Sequence, residues 1–115
     1  MAGNPVTSAL ADRVRITIAP YGSVREVAMF GGLSFMVDER LTVAAGRDGD
    51  LLVRADPDGY DGLLLLGAVP ARMRNGRQMG RGWLTVPAER IRDDDELGRW
   101  IGLAVASRPA SGSGR

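Results

Sequence analysis

Cysteine, histidine and lysine are all missing from this chain of 115 residues. Without cysteine there is no disulfide, no thiolate nucleophile or thiolate metal site, and no thiol redox chemistry. Without histidine, the usual general base near neutral pH and the commonest metal ligand are gone. The remaining Ser, Asp and Glu residues cannot assemble a standard nucleophile with its activating base, so the inventory points away from an enzyme. Long apolar runs are missing too, and residues 1–8 contain neither a basic stretch nor an apolar one of the secretory kind, which predicts a cytoplasmic protein. The formal net charge of +1 is too small to argue for nucleic acid or membrane. All 15 basic residues are arginine and are spread along the whole chain, a distribution that fits a GC-rich coding sequence better than selection for planar, bidentate donors.

What is present suits one soluble domain. The chain has 44% hydrophobic and 25% charged residues, an ordinary globular balance, and its length lets it bury roughly two thirds of the surface its unfolded form exposes. Both phenylalanines and two of the five methionines gather in Met29-Phe30-Gly31-Gly32-Leu33-Ser34-Phe35-Met36-Val37-Asp38. There Leu33, Phe35 and Val37 alternate with Ser34 and Met36, the period of a strand, and the glycine pair permits a sharp turn.

In chain order, Asn4-Pro5 opens a helix running to about Ala19, with Val6, Leu10, Val14 and Ile18 every four residues. The rival for its second half is a strand, since Val14, Ile16 and Ile18 also alternate. Pro20-Tyr21-Gly22-Ser23 is turn chemistry. Strands are predicted at 24–30, 33–37, 41–45 and 51–55, forming a meander. Glu39 is a poor residue for φ > 0, which argues against a primed two-residue turn at Asp38-Glu39. Asp56-Pro57 starts a short helix weakened by Gly59 and Gly62 and ended by Gly67 and Pro70. Asn75-Gly76 marks a hairpin over 71–82, with a closing strand at 83–86. Asp93 and Glu96 have capping-box spacing before a helix striped by Leu97, Trp100, Ile101, Ala104 and Val105. The fold class is therefore α+β, an antiparallel sheet with helices, in the order α-β-β-β-β-α-β-β-α. The domain spans 4–108, with a polar tail at 109–115 expected to be disordered. Phe30, Leu33, Phe35 and Trp100 are expected to share one core.

Candidate sites are few. Asp48, Asp50, Asp56, Asp58 and Asp61 fail the spacing of a calcium loop, because Asp61 falls where glycine is needed and Gly67 where a bidentate glutamate is needed. Gly31-Gly32 belongs to no phosphate-binding motif, and no cofactor is implied. The one local excess of positive charge is Arg72, Arg74, Arg77 and Arg81, a candidate nucleic-acid contact or else the solvated face of a hairpin. Trp83 and Trp100 read as core rather than ligand platforms. Strand edges at 41–45 or 51–55, with few charges, predict a homodimer.

The Met-Phe-Gly-Gly segment Met29, Phe30, Gly31, Gly32, continued by Phe35, by Leu51-Leu52-Val53-Arg54, and by Met79 with Gly82-Trp83-Leu84-Thr85-Val86-Pro87, resembles the TfoX (Sxy) N-terminal domain family across roughly residues 10–107. The resemblance implies a two-layer α+β fold and supplies no catalytic residues. It also implies regulation of competence genes, with the cyclic-AMP receptor protein at promoters; in the family a separate helical C-terminal domain usually follows. The expectation is a non-enzymatic module acting through a protein partner, in the transcription machinery or a regulator. Where the family usually has Asp-Gly, this chain has Asp38-Glu39.

Overall fold

A computed structural model describes residues 5–29, 32–46, 48–72 and 76–107. The expected roles of Phe30, Gly31 and Arg74 and the tail at 109–115 lie outside them. Helix α1 (Pro5–Ile18) buries Thr7, Leu10, Ala11, Val14 and Ile18. Ile16 decides between helix and strand: a strand would put it on the face of Val14 and Ile18, yet it is 77% exposed while they are fully buried. After a 3₁₀ turn at Ala19–Tyr21 come four strands, β1 (Val24–Met29), β2 (Gly32–Val37), β3 (Arg40–Ala45) and β4 (Leu51–Arg54). Each pairs antiparallel with the next, so the expected meander is there.

The turn between β2 and β3 departs from expectation. Val37 pairs with Arg40, and both intervening residues have positive φ, 53° at Asp38 and 69° at Glu39, the signs of a type I′ turn. Its surroundings offset the strain of placing two non-glycine residues there. The Asp38 N–H donates to the Ser23 carbonyl at 2.8 Å, the Asp38 carboxylate accepts the Ser23 N–H at 3.0 Å, and Glu39 pairs with Arg25 at 2.6 Å. The Arg25 hydrogen bond holds the Glu39 carboxyl below its usual range. Because that pair is exposed, and exposed pairs contribute little, Glu39→Gly should raise the melting temperature by a few degrees in a thermal scan. A fall would mean that the ion pair outweighs the strain.

Beyond β4 the chain makes a 3₁₀ turn at Pro57–Gly59 before α2 (Tyr60–Leu65), so Asp56 caps that turn, accepting the Asp58 N–H at 3.1 Å, rather than the helix itself. Then come β5 (Val69–Pro70), β6 (Trp83–Val86), a 3₁₀ turn at Ala88–Arg90 and α3 (Asp94–Ala106), whose first turn is capped by Asp93 through the Asp95 N–H at 2.8 Å. The sheet order is β1-β2-β3-β4-β6-β5, antiparallel throughout. This corrects the expected edges: β3 and β4 are interior, because β6 returns to pair with β4, and the described edges are β1 and β5. Arg25 and Glu26 put charge on β1, while β5 is two residues long and ends in proline, and both features discourage further pairing.

Helices α1 and α3 lie on one face of the sheet, over β2, β3 and β4. Across that face the register aligns Phe35, Val43, Val53 and Leu84, all essentially without solvent contact. They meet Leu10, Val14 and Ile18 of α1 and Leu97, Trp100 and Ile101 of α3 in one core, with Leu33 packed against it. Arg13 ties the two helices together, donating to the Ile91 carbonyl at 2.7 Å and pairing with Asp94 at 3.0 Å. The opposite face carries the alternate residues, among them Ser34, Leu52, Arg54, Trp83 and Thr85.

Candidate functional site

The arginine cluster sits on a side hairpin between β5 and β6, built on the bridge of Arg72 to Gln78 and a bond from the Met79 N–H to the Ala71 carbonyl at 2.9 Å. Gly76, at φ +87°, takes the left-handed conformation its turn needs. Arg72 is exposed and donates from Nη1 to the Gly76 carbonyl at 2.9 Å, bracing its own loop. Arg77 is exposed. Arg81 turns the other way, towards the start of α2. Its guanidinium lies 4.7 Å over the Tyr60 ring, donates to the Pro57 carbonyl at 3.1 Å and pairs with Asp61 at 3.3 Å. Arg81, although exposed like Arg72 and Arg77, is thereby engaged in holding α2 to the sheet's end.

The other singled-out residues divide by role. Met29 pairs with Gly32 at the end of the first hairpin. At Gly32 an added Cβ would collide with the Ala45 carbonyl oxygen, so this glycine is a close approach of two backbones. Phe35 is at the centre of the core. The Gly82 carbonyl accepts the Ala55 N–H at 2.8 Å, extending the pairing of β4 with β6. Trp100 is buried as expected, but Trp83 corrects the core reading: it is half-buried, on the sheet face away from the helices, because its neighbours Leu84 and Val86 take the inner positions of β6. Its ring is covered by Arg54, 4.8 Å from the centroid.

Arg54 was not singled out by sequence reasoning. It follows Leu51, Leu52 and Val53, and its only signal is a lone cation ending an apolar strand. Its Nε donates to the Leu41 carbonyl at 3.0 Å, and burial, with the charge of Arg40 second, lowers its pKa. Among the described residues no group of His, Cys, Asp or Glu is placed to hold a metal ion, and no helix is long and apolar enough to cross a membrane.

No curated protein matches the chain. The sequence profile of the TfoX N-terminal domain matches residues 17–107, well over half of the chain. That span runs from the end of α1 to the end of α3 and takes in every strand of the sheet, with the Gly32 contact and the Arg54 and Trp83 stack; by this match the chain belongs to the TfoX N-terminal domain family.

Proposed function

We propose that the chain is a non-enzymatic module of TfoX N-terminal type, working in the cytoplasm in competence or transcription regulation through contact with another protein. The observation that carries this reading is the family match over 17–107. The lack of histidine, cysteine and lysine supports the absence of catalysis. A surface suited to a protein partner lies at the end of α2 and on β5, where Leu65 is 89% exposed and Leu66 and Val69 are exposed as well. Apolar side chains grouped in this way are characteristic of interaction sites. Affinity capture from the native cytoplasm should recover a reproducible partner. Recovery of none, together with turnover of compounds from a metabolite panel by the purified chain, would overturn the proposal.

Direct nucleic-acid contact is the second reading, favoured by the exposure of Arg72 and Arg77 on the side hairpin. Three phosphate contacts, counting Arg74, would give a log-log salt slope of about −3 on duplex DNA. Fluorescence anisotropy at two salt concentrations measures it, and undetectable binding at low salt removes the idea. Self-association enters as a homodimer. Light scattering would then give twice the chain mass of 12.3 kDa, and a constant single mass over a tenfold concentration range would mean a monomer.

A further inference from the structure

The end of α2 turns some of its leucines inward and others out. Leu63 and Leu64 pack against the core, whereas Leu65 is almost fully exposed and Leu66 is exposed beside it. The helix then closes in a defined cap. The Gly67 N–H donates to the Leu64 carbonyl at 3.1 Å and the Ala68 N–H to the Leu63 carbonyl at 3.3 Å, with Gly67 at φ +113°. This paired bonding is that of a glycine cap, which fixes both the last turn and the direction of the chain leaving it. That chain leads directly to Val69, the exposed first residue of β5, so Leu65, Leu66 and Val69 are presented by a rigid turn.

Gly67 has a second consequence. A Cβ there would stand 2.7 Å from Nε and 3.0 Å from Cζ of Arg90, so the exposed Arg90 side chain lies against the bare backbone next to Leu66, on the border of the apolar surface. All 14 Asp and Glu residues lie within the described segments, and their ion pairs go to Arg13, Arg15, Arg25, Arg81 and Arg99. None goes to Arg90. Asp61, the one acid of α2, is taken by Arg81. Glu89 precedes Arg90 in the 3₁₀ turn Ala88–Arg90, where three residues per turn send successive side chains about 120° apart. Beyond Val69 the chain runs on to Arg72, which is exposed and likewise makes no ion pair with a described carboxylate.

We infer that this surface binds a segment of another protein in which leucine-like side chains are flanked by carboxylates. The inference rests on the reading of the chain as a protein-interaction module and adds the chemistry of the partner. Leu65, Leu66 and Val69 receive the apolar side chains, and the planar fork of Arg90 takes a carboxylate through two parallel bonds. A basic segment would instead bring like charge onto Arg90. An anionic membrane offers related chemistry, but three aliphatic side chains make a small anchor and a net charge of +1 adds little attraction.

The test titrates the full chain, isotopically labelled, with synthetic peptides at constant ionic strength. One carries a Leu-Leu pair flanked by glutamates, a second has lysines for the glutamates, and a third has serines for the leucines. The methyl signals of Leu65, Leu66 and Val69 and the Arg90 Nε–H report on the surface. Expected are saturable shifts with the Leu/Glu peptide and binding weaker by about tenfold or more with each of the other two. In an Arg90→Glu variant that melts like the parent, the order of the glutamate and lysine peptides should reverse. No saturable shift with the Leu/Glu peptide, equal binding of the glutamate and lysine peptides, or an order unchanged by Arg90→Glu would overturn the inference. Shifts of the same signals by phosphatidylserine vesicles but not by the Leu/Glu peptide would overturn it too, in favour of a membrane. A partner captured from a native extract equally by the parent and by Arg90→Glu would remove the acidic chemistry and leave the module reading standing, whereas failure of that reading would show as no partner captured by either.

Discussion

Phe35→Ala should destabilise the protein by about 3–5 kcal/mol, a large part of the roughly 5–15 kcal/mol available to a domain of this size. Phe35 has no solvent exposure and lies in the row with Val43, Val53 and Leu84 that underlies both long helices. Removing its ring deletes buried apolar area and leaves a cavity whose walls are strands hydrogen-bonded on both sides, so the site has little freedom to collapse. Chemical denaturation of the variant beside the parent measures the loss. A melting temperature within a degree or two of the parent would show that Phe35 does not bear on the core.

Gly32→Ala should also be severe, at or above the upper end of the ~1–3 kcal/mol typical of overpacking. Its Cβ would collide with the Ala45 carbonyl oxygen and approach that carbonyl's carbon to 3.1 Å and the Gly46 Cα to 3.2 Å. All three are backbone atoms, so no side chain can swing aside; the end of β2 must move away from β3. Gly62 is the control, because nothing lies within 4 Å of its added Cβ and it sits in α2. Gly62→Ala should raise stability by up to ~1 kcal/mol. If Gly32→Ala melts with the parent, the close approach of β2 and β3 is wrong, and the pair Gly31-Gly32 requires a different account.

Local chemistry made most of the elements legible. The four-residue repeat of α1, the alternation of β2 and the acidic cap of α3 each express a preference that tertiary structure reinforces. Strand neighbours were not legible, because alternation in Leu51-Leu52-Val53 or Trp83-Leu84-Thr85-Val86 tells which side chains share a face and nothing about which strand lies alongside. The edge assignment failed for that reason, as did the core reading of Trp83, whose apolar neighbours point to the face that it does not. Glu39 misled because its intrinsic aversion to positive φ is outweighed by the turn that Ser23, distant in the chain, fixes through both of its bonds to Asp38. At the candidate sites, clustering in sequence drew attention to Arg72, Arg74, Arg77 and Arg81, yet Arg81 is engaged by Tyr60 and Asp61. Arg54 was overlooked because its partners Trp83 and Leu41 are brought to it only by the sheet.

The module reading assigns scaffold work to Gly32 and Phe35 and leaves recognition to side chains that the fold does not need. Leu65 is the sharpest case, since its exposure means that a charged replacement removes no core contact. The decisive measurement is affinity capture from a native cell extract with the parent chain and with Leu65→Asp, after thermal scans have shown that the two melt alike. The account predicts a partner held by the parent and lost by Leu65→Asp. A partner recovered equally by both would contradict the assigned surface, and no partner with either, alongside turnover of a metabolite by the purified parent, would contradict the module reading itself.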